Sequence, residues 1–154
     1  MSKPIHKILT ISPTLDTSAY SSGDRMGSLV TVTDASRTNA GKLKIVSAYV
    51  LDKAKQNLAF DILIFDASPT IASADNAAMD LTDAEATKLV GVIPIATGDY
   101  TTAYGSNSQA TKANINLVVA TSADTKNLYV QLVARGAPTY AADSLTIKLG
   151  VEQL

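Results

Sequence analysis

The amino-acid sequence predicts an all-β domain, an eight-stranded antiparallel β-sandwich of jelly-roll type with one short helix. Three observations carry that expectation. Short runs rich in Val, Ile, Leu and Tyr recur along the chain. Polar turns containing Gly, Asn, Asp or Ser separate them. No segment between them reads as a crossover helix, which disfavours a parallel sheet and leaves two packed antiparallel sheets.

Two consecutive runs organise the rest. Residues 42–52 read KLKIVSAYVLD and residues 58–66 read LAFDILIFD, both strand-like in length and composition. In the second run Leu58, Phe60, Ile62 and Ile64 share one face. The other face carries Ala59, Asp61, Leu63 and Phe65, so it is apolar except at one position. Such a strand is expected to be central and covered on both sides. The spacer KAKQN at 53–57 is polar and short enough for a hairpin connection.

The other elements follow in order. Residues 5–11 alternate, with Ile5, Lys7, Leu9 and Ile11 against His6, Ile8 and Thr10, which predicts a strand. Residues 12–27 are turn-rich, and 29–33 form a short β-branched strand. Residues 34–41, DASRTNAG, read as an exposed loop. Residues 66–80 offer little for a core to grip and are expected to cover a surface or touch a partner. Thr82 is then a helix N-cap with Glu85 completing a capping box, and Asp83 suits the positive helix end. Leu81 could staple onto Ala86, and Gly91 would end a helix too short to be stable unless docked. Residues 92–95 resume β character, with Pro94 placing them near an edge or strand end. A second long loop, 98–112, carries Tyr100 and Tyr104. Strands lined by Ile115, Leu117 and Val119, by Leu128, Val130 and Leu132, and by Leu145, Ile147, Leu149 and Val151 complete the eight.

All 154 residues are read as one domain, with an N-terminal arm at 1–7. A chain of this size buries enough surface to need no disulfide or metal. Only 18% of residues are charged, against about 25% in a typical domain. Either much of the surface is hidden in an assembly or a monomer is solvated by Thr, Ser, Asn and Gln. A net charge of −1 without a basic run argues against nucleic acid. The chain has no Cys, which excludes thiolate catalysis and Cys-zinc sites. The N-terminus does not read as a signal peptide, and no apolar run is long enough to span a membrane.

Candidate chemistry is sparse. His6 is the sole histidine and has no local nucleophile or orienting partner, so a structural role is preferred. Asp75, Asp80, Asp83 and Glu85 lack the alternation of a calcium loop, and capping and solvation explain Asp80, Asp83 and Glu85. Asp61, within an apolar strand, needs a partner or a raised pKa. A structural pairing, with Lys44 or Arg135, is preferred over an active-site role. The loop tyrosines Tyr100, Tyr104 and Tyr140 could stack on sugars or anchor a protein contact. Without Trp, a protein contact is preferred. No catalytic residues, cofactor or metal ligands are expected, and the chain is not expected to be an enzyme.

Several motifs carry a resemblance. They are Phe65-Asp66 with Ser68-Pro69-Thr70, Asp75-Asn76-Ala77-Ala78, Leu81-Thr82-Asp83 and Lys88-Leu89-Val90-Gly91-Val92-Ile93. Later come Val133-Ala134-Arg135-Gly136-Ala137-Pro138-Thr139-Tyr140 and Leu145-Thr146. Together they resemble a family of small tailed-bacteriophage head proteins encoded close to the major capsid protein. The resemblance covers about two thirds of the chain, most closely residues 58–95 and 128–150. It implies a cement or decoration protein on the capsid exterior, made in the host cytoplasm, and no catalytic residues. The implied partners are the major capsid protein and further copies of the chain, as a dimer or trimer. Tyr100, Tyr104 and Arg135 are the expected interface anchors, and segments 1–7, 66–80 and 98–112 the expected contact regions. For Arg135, a structural ion pair beside the 136–138 turn is the alternative. The alternatives for the whole protein are a carbohydrate-binding or host-attachment module and a tail or neck component.

Overall fold

The computed structural model describes residues 3–101 and 104–154. Its strands are β1 (Ile5–Ile11), β2 (Arg25–Val32), β3 (Lys42–Asp52), β4 (Phe60–Phe65) and β5 (Leu89–Ile95). They continue with β6 (Tyr100–Thr101), β7 (Ser108–Lys112), β8 (Leu117–Ala120), β9 (Leu128–Ala134) and β10 (Leu145–Gln153). A single helical turn, α1 (Asp83–Ala86), precedes β5.

The pairing is nested and antiparallel. β1 pairs with β10, β2 with β9, β3 with β7 and β8, and β4 with β5. The chain is therefore one long hairpin, rolled so that alternate parts of its arms fall into two sheets. One sheet has the order β1-β10-β3-β7-β6, with β8 also on β3, and the other has β2-β9-β4-β5. That is jelly-roll topology. The expected fold class is the observed one.

Alternation decides which side chains meet between the sheets. Leu9, Ile11, Leu43, Ile45, Val50, Ile147 and Leu149 point inward from the first sheet, and Phe60, Ile62, Ile64, Val130 and Leu132 from the second. β4 lies between β9 and β5 and is covered on both sides, as its two apolar faces required. Its outer residues Leu63 and Phe65 join Val133 in a second apolar cluster, on which Met79, Leu81, Leu89 and Tyr129 pack.

The expected hairpin between the two organising runs does not form. β3 and β4 lie in opposite sheets, and 53–59 is the crossover between them. A crossover leaves backbone N–H groups that neither sheet can pair. The fully buried Asp52 carboxylate accepts three of them, from Ala54 at 2.9 Å, Gln56 at 2.8 Å and Asn57 at 3.1 Å. Lys55 and Asn57 take left-handed backbone angles to aim those groups at it.

Other boundaries also move. The 98–112 loop contains β6 and β7, whose sequence SQATK has no apolar run to reveal it. β7 and β8 lie end to end along one edge of β3, so with the two-residue β6 set aside eight strand positions describe the sandwich. The step between them falls at Asn114 and Asn116, both with positive φ. Gly91 does not end the helix. It sits inside β5 opposite Ile64, where an added Cβ would lie 2.6 Å from a methyl of Leu117. The 34–41 loop is exposed only in part, because Ala35 and Ser36 are buried. Pro94 lies on the edge strand β5, as expected.

The Asp52→Ala variant is expected to strand three backbone donors. At about 1 kcal/mol each the loss is about 3 kcal/mol, or roughly 6–12 °C in Tm for a domain of this size. Thermal unfolding by circular dichroism measures it.

Candidate interaction site

The three expected anchors arrive at one end of the sandwich, around the crossover. Tyr100 donates its hydroxyl to the Leu58 carbonyl at 3.0 Å and packs against the main core. Burial, with the negative charge of Asp52 nearby, pushes its pKa well above the usual tyrosine value. Arg135 donates its backbone N–H to the Ala59 carbonyl at 2.9 Å. Lys55 Nζ donates to the Gly105 carbonyl at 2.8 Å, tying down the loop tip that carries Tyr104. Gln56 Oε1 accepts from the Thr139 N–H at 3.0 Å, which holds the neighbouring turn.

Their exposures differ. Tyr104 is 66% exposed and is the large aromatic presented to solvent at this end. Tyr100 is half-buried and works largely within the fold. Arg135 is exposed, and its Nε donates to Asp61 Oδ2 at 2.7 Å. Asp61 is thus paired as its setting demanded, with Arg135 and not with Lys44, whose partner is Glu152 at 2.7 Å. Tyr140 is buried at 3% exposure against Tyr20, ring centroids 6.5 Å apart, and cannot serve as a surface contact. Burial, with the charge of neighbouring groups, raises its pKa.

The 66–80 segment is held firmly, contrary to the expectation that it offers a core little to grip. Asp75 Oδ1 accepts from the Tyr20 hydroxyl and the Gly27 N–H, both at 2.8 Å. Residues 76–79 run along 23–25 through backbone bonds from Asn76, Arg25 and Met79. Arg25 reaches the Ser73 carbonyl at 2.6 Å and Gln131 Oε1 at 3.0 Å. Gln131, fully buried in β9, donates in turn to the carbonyls of Met26, Gly27 and Leu132. The residue pattern gave no notice of this network beyond one polar letter in LYVQLVA.

Glu85 departs from the capping-box expectation. Thr82 Oγ1 does accept from the Glu85 N–H at 3.3 Å. The Glu85 carboxylate, however, accepts from the Thr70 N–H at 2.8 Å and from Lys88 Nζ at 2.7 Å. It latches the outer segment onto α1. Of the expected N-terminal arm, Ile5–Lys7 belong to β1 and the Lys3 carbonyl accepts from Arg37 at 3.1 Å. Met1 and Ser2 lie outside the described residues.

Among the described residues no group of three His, Asp or Glu is placed to hold a metal ion, and no helix is long and apolar enough to cross a membrane.

No family model and no curated protein sequence matches the chain. Solved structures overlap it loosely. One is of Desmodium yellow mottle tymovirus, at 14% identity and TM-score 0.29 over 99% of this chain and 82% of that one. Another is the VP2 subviral particle of infectious bursal disease virus, at 15% identity and TM-score 0.30 over 97% of this chain and 41% of that one. The architecture is assigned from the strand order of the chain itself.

The Lys88 ammonium and the Thr70 amide hold the Glu85 carboxyl below its usual value of 4.5. A depressed folded-state pKa adds stability above the unfolded value and loses it as pH falls through the folded value. Stability is therefore expected to fall as pH drops below 4.5. Glu85→Gln should flatten part of that acid limb in denaturation series. Arg135→Ala leaves the Asp61 carboxylate to solvent and should cost about 0.5–1 kcal/mol by urea unfolding, the worth of a partly exposed pair.

Proposed function

We propose that the chain is a structural virion protein, a cement or decoration protein that binds the outside of a tailed-phage head and bridges major capsid subunits. The observation that carries this reading is the gathering of Tyr100, Tyr104 and the Arg135–Asp61 pair at one end of the sandwich. An exposed aromatic beside an ion pair, on a tethered loop, is the composition of a protein-binding end. The partner class comes from the family resemblance of 58–95 and 128–150. Its motif residues Asp75, Asn76, Leu81 and Lys88 build the ordered layer over the outer face of the second sheet. A rigid surface loses little entropy on docking, and many copies on one shell multiply a weak contact.

Purified protein mixed with undecorated phage heads should saturate them at a fixed copy number, measured by co-sedimentation. Tyr104→Ala should weaken binding by roughly 30-fold, as expected of an aromatic hot spot worth about 2 kcal/mol, with Tm unchanged. Absence of binding to heads would refute the proposal, and glycan binding in its place would favour the carbohydrate-binding alternative.

A further inference from the structure

The two sheets differ in what lies on their outer faces. The second is covered by 66–82, whereas the first carries no segment over its outer face among the described residues. Strand register orders its outward side chains in rows: His6, Glu152 and Lys44; then Ile8, Gly150 and Ser47; then Thr10, Lys148 and Tyr49. Ile8 is 60% exposed and Val118, beside Lys44, is 56% exposed. At Gly150, where β3 bulges, the face is indented by a notch of about 310 Å³, bordered by His6, Ile8, Val46 and Ser47.

We propose that this face docks a second copy of the chain about a two-fold axis running across the strands through Ile8 and Gly150. Charge selects both the partner and the axis. On β10, Lys148 lies two residues before Gly150 and Glu152 two residues after it, so both point outward. Rotation about an axis across the strands sets each Lys148 against Glu152 of the second copy, adding a second cation to a carboxylate that already holds Lys44 of its own chain at 2.7 Å. The Lys44–Glu152 pair then lies opposite Tyr49 and Lys148 of the second copy, and Ile8 meets Ile8 beside the notch. An axis along the strands would instead set Lys148 on Lys148 and Glu152 on Glu152. The face complements itself in one orientation and repels itself in the other.

Size sets the strength. Four strands about 4.8 Å apart and seven residues long span roughly 19 Å by 24 Å. That projected area of roughly 450 Å² per copy is below the about 800 Å² of a standard interface. The dimer is accordingly weak, with a dissociation constant in the micromolar range or above.

Sedimentation equilibrium over micromolar to millimolar concentrations tests this. The wild-type chain should show a monomer–dimer equilibrium, and Ile8→Glu should abolish it. Lys148→Glu should weaken it at least tenfold, and the double swap Lys148→Glu with Glu152→Lys should restore it. Circular dichroism and Tm verify that each variant folds, which matters for Glu152→Lys because Lys44 loses its partner. A chain monomeric throughout that range, a dimer indifferent to Lys148→Glu, or a folded double swap that stays monomeric would overturn the proposal. Tyr104→Ala should leave the dimer intact, so failure of the capsid reading and failure of this one are separable.

Discussion

The Asp52 carboxylate, buried where the chain leaves one sheet for the other, is the interaction on which the rest of the molecule depends. A rolled hairpin must pass its strands between layers, and each passage exposes backbone donors away from water. One carboxylate with two oxygens meets three such donors within the five residues that follow it. With that cost removed, β3 and β4 face each other across the core instead of pairing side by side. The same crossover provides the carbonyls of Leu58 and Ala59 and the side chains of Lys55 and Gln56. These bring Tyr100, the Tyr104 loop, Arg135 and Thr139 to one end. A folding requirement and a candidate binding surface thus share the same short segment.

The second constraint is polar and lies within the other sheet. Gln131 occupies a central strand position where an apolar residue would pack more simply, and it is tolerated because its hydrogen bonds are met. Through Arg25 it reaches Ser73, and through the backbone carbonyls of Met26 and Gly27 it shapes the bulged start of β2. Asp75 and Glu85 complete the attachment of the 66–82 layer. Apolar contact from Met79 and Leu81 onto Leu63 and Phe65 then makes the layer part of the fold. Among the described residues the sheet opposite has no such cover, and Ile8 and Val118 stay exposed on it.

Legibility in the sequence tracks the range of the interaction involved. Strands with apolar alternation, such as 5–11 and 145–151, and the doubly apolar 58–66 were readable, because burial dictates their pattern residue by residue. β7 was not, since SQATK is held by its neighbours' backbone and not by its own side chains. Gly91 reads locally as a helix stop, because the reason for it, the Leu117 side chain above it, lies far along the chain. For the candidate site, the need for a partner at Asp61 is legible because a carboxylate in an apolar strand demands one, but the choice of Arg135 over Lys44 is made by the fold. Tyr140 reads as a loop contact but is buried, because loop position alone does not report burial.

The sequence by itself determined the all-β class, the central place of 58–66, the place of Pro94 at an edge or strand end and the need for a partner at Asp61. All of these follow from local periodicity and from the cost of burying an unpaired polar group. Only the tertiary structure decided that β3 and β4 cross between sheets, that Asp52 and Gln131 are the buried polar supports, and that 66–82 is a fixed outer layer. Those depend on which distant backbone donors and apolar surfaces come together, and a linear pattern does not encode that meeting.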